Sequence, residues 1–257
     1  MSKDLTPLLA GWDHEPDELQ VRIILGDDGR EKLQMRIELG LLQMELDGRP
    51  DGQRPHGFES LLEYHEARAE ESPGYRLDGD DCAELMREGV QYYQRYLALF
   101  HLQRYDLVAR DTARNLRLFR FVVQHAKRPR DKREFDQYRP YVTMMHARAL
   151  GQQALERGDV RTALARIDEG IGRIEEFLHE YDEFDQAGKC PELLFLKRWR
   201  REVERTRKLG PLERLEEQLA LAVSREQYEE AARLRDQIRR LRDLAGSASS
   251  AISRDAT

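Results

Sequence analysis

The stretch 147–171 has the sequence ARALGQQALERGDVRTALARIDEGI, with apolar and small residues at helical spacing on both sides of a Gly-Asp pair. These positions are Ala147, Leu150, Leu155, Ala163, Leu164, Ile167, Gly170 and Ile171. Gly158 and Asp159 predict a tight turn between two helices, since glycine commonly ends a helix. Small side chains allow the two helices to approach closely. The stretch therefore predicts an antiparallel helical hairpin.

A similar rhythm of apolar residues occurs earlier, over 92–116, displaced by about 55 residues. Both stretches resemble tetratricopeptide (TPR) units, whose repeat is about 34 residues long. The spacing differs from that repeat, and the proline at the usual end of the unit is absent. The sequence thus predicts TPR-like helical hairpins instead of a regular TPR array. Helical periodicity begins near Asp81, with breaks at 127–139, 158–159, 186–191 and 210–211.

The N-terminal part contains the one convincing β pattern of the chain. Apolar and polar residues alternate over 19–25 and again over 33–41, on either side of the turn sequence Gly-Asp-Asp-Gly at 26–29. This arrangement predicts a β-hairpin with one buried face. The expected fold is mainly α, with this hairpin at the N-terminus and a helical hairpin at the C-terminus. The predicted domains are 1–80, 81–208 and 211–244, with a disordered tail at 245–257.

Composition narrows the classes of protein to consider. Charged residues make up 36% of the 257 residues and hydrophobic residues 40%, with a net charge of −6. The first 90 residues carry about 22 acidic and about 10 basic residues, so this part should repel nucleic acid. Cys82 and Cys190 suggest ordinary thiols in a reducing compartment. We expect no signal peptide and, without an apolar run of roughly 20 residues, no membrane span. The expected location is the cytoplasm.

Motifs for catalysis or cofactor binding are absent from the sequence. It contains no GxxxxGK[ST], GxGxxG, GxSxG or HExxH pattern. Glu176 and His179 have the spacing of a di-iron ligand pair, but such a site needs the motif twice. We therefore predict no catalytic, metal or cofactor site and a protein that is not an enzyme. One alternative is an acid–base pair of Asp51 and His56 in the Gly/Pro-rich loop 48–57; the other interpretation of this loop is a structural connector.

Two basic stretches, 127–133 and 197–208, raise the alternative of nucleic-acid binding. In the second, Lys197, Arg198, Arg200 and Arg201 surround Trp199, and basic side chains beside an aromatic ring can hold a phosphate backbone. The competing interpretation is the solvated face of a packed helix. Its apolar stripe would be Leu193, Leu194, Leu196, Trp199 and Val203.

The region 211–244 predicts a second helical hairpin. Leucines at 212, 215 and 219 and Ala222 lie on one face of a first helix. Residues 224–226 form the elbow, where Ser224 and Gln227 have the spacing of a capping box. Tyr228 is expected to anchor the turn, while Ala231 and Ala232 let the helices close. Leu234, Ile238 and Leu241 complete the second apolar face.

Residues 228–236, Tyr-Glu-Glu-Ala-Ala-Arg-Leu-Arg-Asp, resemble the core of the UVR motif of the bacterial excision-repair subunits UvrB and UvrC. Tyr228 replaces the more usual phenylalanine of that motif. The resemblance implies a hairpin that mediates protein association, and it is limited to this module. A helicase P-loop, a nuclease carboxylate cluster and cysteine-pair zinc sites do not accompany it. The chain thus looks like bacterial proteins of uncharacterised function that carry a single C-terminal UVR motif.

These observations predict a non-enzymatic adaptor that binds a protein partner or a second copy through 211–244. Whether the hairpin docks in cis or in trans is left open, and the alternative function is a nucleic-acid-associated repair accessory. Apolar contacts should dominate affinity, with two charged residues fixing the register. The predicted binding residues are Leu215, Leu219, Tyr228, Ala232, Leu234, Arg235, Asp236 and Ile238.

Overall fold

The computed structural model describes residues 4–181, 184–206, 211–224 and 227–239. Within them the protein is mainly helical, with a small antiparallel sheet near the N-terminus, as predicted. The strands are β1 (Val21–Leu25), β2 (Glu31–Ile37) and β3 (Gly40–Glu45). The helices are α1 (Thr6–Leu9), α2 (Leu61–Glu71), α3 (Gly79–His101), α4 (Tyr105–His125), α5 (Pro129–Asp136), α6 (Arg139–Glu156), α7 (Val160–Glu180), α8 (Pro191–Thr206), α9 (Pro211–Ser224) and α10 (228–239). Short 3-10 turns occur at Pro55–Gly57 and Phe184–Lys189.

The predicted β-hairpin is present as β1 and β2, and a third strand that the sequence analysis did not predict extends it to a three-stranded sheet. Strand β1 pairs with β2, and β2 pairs with β3, with Ile37 opposite Gly40. A second turn therefore lies at Glu38 and Leu39, and Leu39 is 90% exposed. The alternation of apolar residues runs unbroken through this turn, because Ile37, Leu39 and Leu41 keep the period of two. Periodicity alone consequently could not reveal the turn.

The two faces of the sheet have different partners. Leu33, Met35 and Met44 are buried on one face, in the main hydrophobic cluster with residues of the helices. On the other face a polar row crosses the three strands: Arg22 Nε donates to Gln34 Oε1 at 2.8 Å, and Gln34 Nε2 donates to Gln43 Oε1 at 2.9 Å. The sheet thus packs on the helical body through its apolar face.

Helices α3 and α4 form a hairpin at a break that the sequence did not reveal. Asp78 begins α3 with a capping box in which its side chain accepts from the Asp81 N–H. At the other end, Gln103 has a φ of 58°. The Arg104 N–H donates to the Leu99 carbonyl at 2.9 Å, which closes the turn. Because a left-handed turn residue is usually glycine, glutamine at this position carries no turn signal.

Helices α6 and α7 form the hairpin predicted from Gly158 and Asp159, and this prediction is confirmed. Gly158 has a φ of 74°, and the Asp159 N–H donates to the Ala154 carbonyl at 2.9 Å. The same backbone bond therefore closes both helical pairs, with Gly158 in the place of Gln103. The Asp159 carboxylate then caps α7 by accepting from the Thr162 N–H. The TPR type of these pairs stays a prediction.

Small residues bring the helices of the second pair together, as predicted. A Cβ atom placed on Gly170 would lie 2.5 Å from the Cβ of Ala147, so only glycine fits at this crossing. A Cβ on Gly151 would lie 2.6 Å from the ring of Trp199, which α8 presents to α6. The apolar stripe predicted for α8 is largely buried here, although Leu194 is exposed.

The predicted break at 127–139 contains a short helix, α5, so the sequence prediction of an interruption is only partly correct. Pro129 occupies the start of α5, where its missing N–H costs no hydrogen bond. Just before it, Leu77 and Ala126 form an isolated parallel bridge that ties the start of α3 to the end of α4. Phe135 of α5 is buried in a second apolar cluster with residues of α2, α3 and α4.

Residue contacts divide the chain into two units, Met1–Glu204 and Arg205–Thr257. The sheet and both apolar clusters belong to the first unit. In the portion of the chain that the structure describes, no helix is both long and apolar enough to cross a bilayer.

Candidate functional site

The C-terminal hairpin consists of α9 and α10 joined by a tight elbow. The Gln227 N–H donates to the Ala222 carbonyl at 2.9 Å, the same bond that closes the other two helical hairpins. The Ser224 hydroxyl donates to the Leu221 carbonyl at 2.8 Å, so Ser224 belongs to the end of α9. Gln227 precedes α10, and its carbonyl accepts from the Ala231 N–H. The predicted capping box from Ser224 to Gln227 is therefore wrong.

The predicted contact residues of the hairpin include both buried and exposed side chains. Leu234 and Ile238 are buried, as is Ala222, while Leu215 and Leu219 are partly buried. These positions follow the helical spacing from which they were predicted. The burial of Ala222, Leu234 and Ile238 assigns these three side chains to packing in the folded chain. A partner can reach Leu234 and Ile238 only if this packing changes.

Among the described side chains of the hairpin, the exposed large apolar residues lie near the elbow. Tyr228 is 70% exposed, and Leu221 and Val223 on the last turn of α9 are 50% and 53% exposed. The expected anchoring of the turn by Tyr228 does not agree with this exposure. Ala232, Arg235 and Asp236 are exposed as well. The helical stripe did not include Val223, because exposed apolar residues have no periodic signal of their own.

Some predictions for the hairpin fall outside the described residues. These are the elbow positions 225 and 226, the apolar residue Leu241 and the disordered tail 245–257. The side chain of Leu212 lies outside them too.

The basic residues of α8 are held mainly by acidic side chains of the same unit. Lys197 Nζ lies 2.7 Å from Glu175 Oε1, and Arg200 Nε lies 2.6 Å from Asp168 Oδ1. The hydrogen bond to Asp168 raises the pKa of Arg200. These pairs neutralise part of the charge that a phosphate backbone would need.

The other two predicted basic residues have weaker contacts. Arg198 lies 3.8 Å from Glu202, one turn along α8, and Arg201 Nε donates to the Lys197 carbonyl at 3.3 Å. Trp199 packs against Gly151 and the main apolar cluster. The ring is therefore engaged in packing within the protein, which favours the interpretation of α8 as a packed helix. Arg207 and Lys208 lie outside the described residues.

The Gly/Pro-rich loop 48–57 contacts the helical body through an ion pair that involves a buried carboxylate. Arg49 lies 3.1 Å from Asp51 and 3.6 Å from Glu88, whose carboxylate is fully buried. Glu88 also accepts hydrogen bonds from the N–H groups of Leu61 and Leu62, at the start of α2. These contacts support the interpretation of the loop as a structural connector.

Asp51 and His56, the alternative acid–base pair, have separate partners. Asp51 accepts from the Gln53 N–H at 3.0 Å and from the Gln91 side chain at 3.2 Å. The His56 ring stacks on Tyr64 with 4.1 Å between the ring centroids. Each side chain thus has structural contacts of its own, with neighbours other than its proposed acid–base partner.

The remaining candidates for chemistry are thiols and metal ligands. Cys82 and Cys190 are both free, and burial raises the pKa of Cys82 to about 12, which makes its thiolate inaccessible at neutral pH. Within the described ranges, no group of three or more His, Cys, Asp or Glu side chains is arranged to hold a metal ion.

Comparison with known families gives one match. Residues 211–244 match the family model described as the UvrB/uvrC motif, UVR. The matched segment covers α9 and α10. No curated protein and no solved structure matches the chain. The chain therefore contains a UVR motif at the position where the sequence predicted one.

Proposed function

We propose that the protein is a non-enzymatic adaptor whose UVR hairpin binds the corresponding hairpin of a second protein chain. The observation that carries this proposal is the exposure of Leu221, Val223 and Tyr228 at the elbow of a matched UVR motif. These three exposed apolar side chains lie within eight residues of the sequence, on either side of the elbow. A partner that covers them would remove apolar area from water.

The energetics favour the apolar residues over the charged ones as the source of affinity. Complete burial of a leucine, valine or tyrosine-sized side chain contributes about 1.5–3 kcal/mol. An exposed ion pair formed by Arg235 or Asp236 contributes only about 0–1 kcal/mol. We therefore assign affinity to the elbow residues and the choice of register to Arg235 and Asp236.

The alternative function, a nucleic-acid-associated repair accessory, has weaker support. It rests on the name of the motif and on the basic face of α8. Lys197 and Arg200 of that face are paired with Glu175 and Asp168. Binding of a nucleic acid would have to break these pairs. The bacterial origin, the TPR-like type of the helical body and the cytoplasmic location stay predictions from sequence.

The test compares the full chain with the double variant Leu221→Asp/Tyr228→Asp. Both positions are exposed, so the folded hairpin should persist, whereas substitution of the buried Leu234 would disrupt it. Light scattering over a wide range of protein concentration measures self-association. We expect the double variant to lose association and to keep its helical circular dichroism. The matched control is Leu39→Asp, at an exposed turn of the first unit.

A monomeric wild-type chain would point to a different protein as the partner. In that case the full chain, the double variant and a chain ending before Pro211 serve as baits for affinity capture. A partner of the hairpin must be retained by the full chain and by Leu39→Asp and lost by the other two. Equal retention by all four proteins would contradict the proposed role of the hairpin.

A further inference from the structure

The first unit contains an aromatic cleft that the proposed function does not use. It has a volume of about 520 Å³ and lies between α3, α4, α6 and the start of α8. Apolar and aromatic side chains make up most of its walls. Its principal lining residues are Val90, Tyr93, Phe119, Tyr138, Tyr141 and Glu192.

The tyrosine rings of the cleft are arranged edge to face. The Tyr93 and Tyr141 ring centroids lie 6.2 Å apart with an interplanar angle of 60°, and those of Tyr93 and Tyr96 lie 5.5 Å apart at 87°. Tyr96 is buried behind the wall, while Tyr93 and Tyr138 are exposed to solvent. Val90, beside Tyr93 on α3, is exposed too. The cleft therefore presents tyrosine side chains that a ligand can reach.

One lining residue in the described part of the chain has an ionised side chain, and it is acidic. Glu192, in the first turn of α8, is half-buried and has no ion-pair partner among the described residues. Its Oε2 accepts a weak hydrogen bond of 3.4 Å from the Cys190 thiol. The amide of Asn115, by contrast, already donates to the Gly89 carbonyl, and that of Gln137 donates to the Glu134 carbonyl. The Glu192 carboxylate can therefore still accept hydrogen bonds from a ligand in the cleft.

We propose that this cleft binds the arginine side chain of a peptide segment in a partner protein. A guanidinium group stacks on tyrosine rings, and it donates two hydrogen bonds to a carboxylate in a matching planar geometry. An anion would meet both Glu192 and the negative faces of the rings. A neutral apolar ligand would desolvate the carboxylate and leave it only the weak hydrogen bond from Cys190.

The first unit already holds arginine side chains in this way. Arg148, two turns beyond Tyr141 on α6, lies over the rings of Phe100 and Phe195 at 4.4 Å and 4.6 Å from the centroids. Arg114 lies over the Tyr92 ring at 4.1 Å. An external arginine in the cleft would repeat an interaction that the fold uses in its own packing.

The size of the cleft favours a peptide over a free small cation. Its volume falls within the range of about 300–1,000 Å³ that encloses drug-sized ligands, which is more than one guanidinium group fills. The exposed Val90 offers an apolar contact to a residue next to the arginine. A peptide can contact Glu192 and Val90 at the same time, whereas a free cation leaves the apolar wall of the cleft exposed to water.

The probe is the blocked tripeptide acetyl-Leu-Arg-Leu-amide, titrated into the full chain and followed by backbone amide chemical shifts in NMR. The analogue with citrulline has the same shape without the charge, and free arginine amide represents the small cation. We expect the arginine peptide to shift signals around the cleft and to bind at least about fivefold more tightly than the citrulline peptide. It should also bind more tightly than arginine amide.

Two substitutions distinguish the contribution of the Glu192 charge to peptide binding from that of the Tyr138 ring. Glu192→Gln should weaken binding of the arginine peptide about fivefold, and Glu202→Gln, an exposed position on the same helix, is its matched control. Tyr138→Leu should weaken binding about threefold, while Tyr138→Phe keeps the ring face and the affinity.

Several results would overturn the proposal: no shifts with the arginine peptide, equal affinity for the citrulline peptide or for arginine amide, or equal effects of the two glutamate substitutions. The proposal does not rest on the UVR hairpin. The double variant Leu221→Asp/Tyr228→Asp should bind the peptide normally, so failure of one proposal is distinguishable from failure of the other.

Discussion

Arg95 and Asp111 form a fully buried, two-pronged ion pair between α3 and α4, with Arg95 Nε 2.7 Å from Asp111 Oδ2 and Nη2 2.9 Å from Oδ1. The remaining Arg95 nitrogen, Nη1, donates to the carbonyl groups of Glu45 and Gly48, both at 2.9 Å. One side chain therefore joins the helical hairpin to the end of the sheet and to the loop that follows it.

Removal of one partner of this pair should destabilise the first unit strongly. Asp111→Asn would leave the Arg95 charge buried and uncompensated, at a cost of about 3–5 kcal/mol in the free energy of unfolding. Urea denaturation followed by circular dichroism measures the loss. The exposed pair of Arg166 and Glu169 is the control, since Arg166→Gln should cost at most about 1 kcal/mol. Equal effects of the two substitutions would show that Arg95 and Asp111 do not hold the unit together.

Two glycines of α7 should respond to alanine in opposite directions. Gly170→Ala would place a methyl group 2.5 Å from the Ala147 Cβ and should destabilise the protein by about 1–3 kcal/mol. At Gly172 no atom lies within 4 Å of an added Cβ, so Gly172→Ala should stabilise the helix by about 0.5–1 kcal/mol. Thermal unfolding of the two variants tests this contrast. A stabilising Gly170→Ala would refute the close crossing of α6 and α7.

Stability should decline in mildly acidic solution because of the buried His65 and the half-buried His146. Burial lowers the pKa of His65 and of His146 below the ordinary value of 6.5. The unfolded chain then binds more protons than the folded chain, so the free energy of unfolding falls as the pH decreases below about 6.5. Each histidine contributes a slope of at most about 1.4 kcal/mol per pH unit.

The variant His65→Gln should therefore show a shallower loss of stability between about pH 7 and pH 5 than the wild-type chain. Urea denaturation across this interval gives the slope. His101→Gln, at an exposed helix end, controls for the substitution itself. An unchanged slope for His65→Gln would mean that His65 is accessible to protons in the folded state.

Nucleic-acid binding through α8 is expected to be absent at physiological salt. Arg200 is held by Asp168 at 2.6 Å and by Glu204 at 2.8 Å, so its charge is already compensated. A gel-shift assay with duplex and single-stranded DNA at several salt concentrations tests this. A salt-dependent shift that Arg200→Glu/Arg201→Glu abolishes would favour the repair-accessory function instead.

Sequence periodicity located most helices because their buried faces repeat every three to four residues. The turn at Gly158 and the UVR hairpin were predicted in this way, the latter together with its buried Leu234 and Ile238. The turn at Gln103 was missed, since its left-handed conformation depends on the packing of α3 against α4. The turn at Leu39 was missed because the alternation of apolar residues continues through it.

The residues of the candidate sites were harder to predict than the helices. Exposed apolar side chains such as Val223 do not repeat at helical spacing, so the pattern of apolar residues does not indicate them. The aromatic cleft combines Tyr93, Tyr141 and Glu192 from three helices. Nothing near each of these residues in the sequence indicates that they meet.

The sequence by itself determined the helical class, the N-terminal β region and the C-terminal hairpin, because these depend on local periodicity and turn chemistry. Tertiary structure alone decided which charged side chains are available to bind a ligand. Arg95 and Glu88 form buried ion pairs within the protein, whereas Glu192 lines the cleft. The physical reason is that the burial and pairing of a charge depend on neighbours distant in sequence. Those neighbours are brought together only by helix packing.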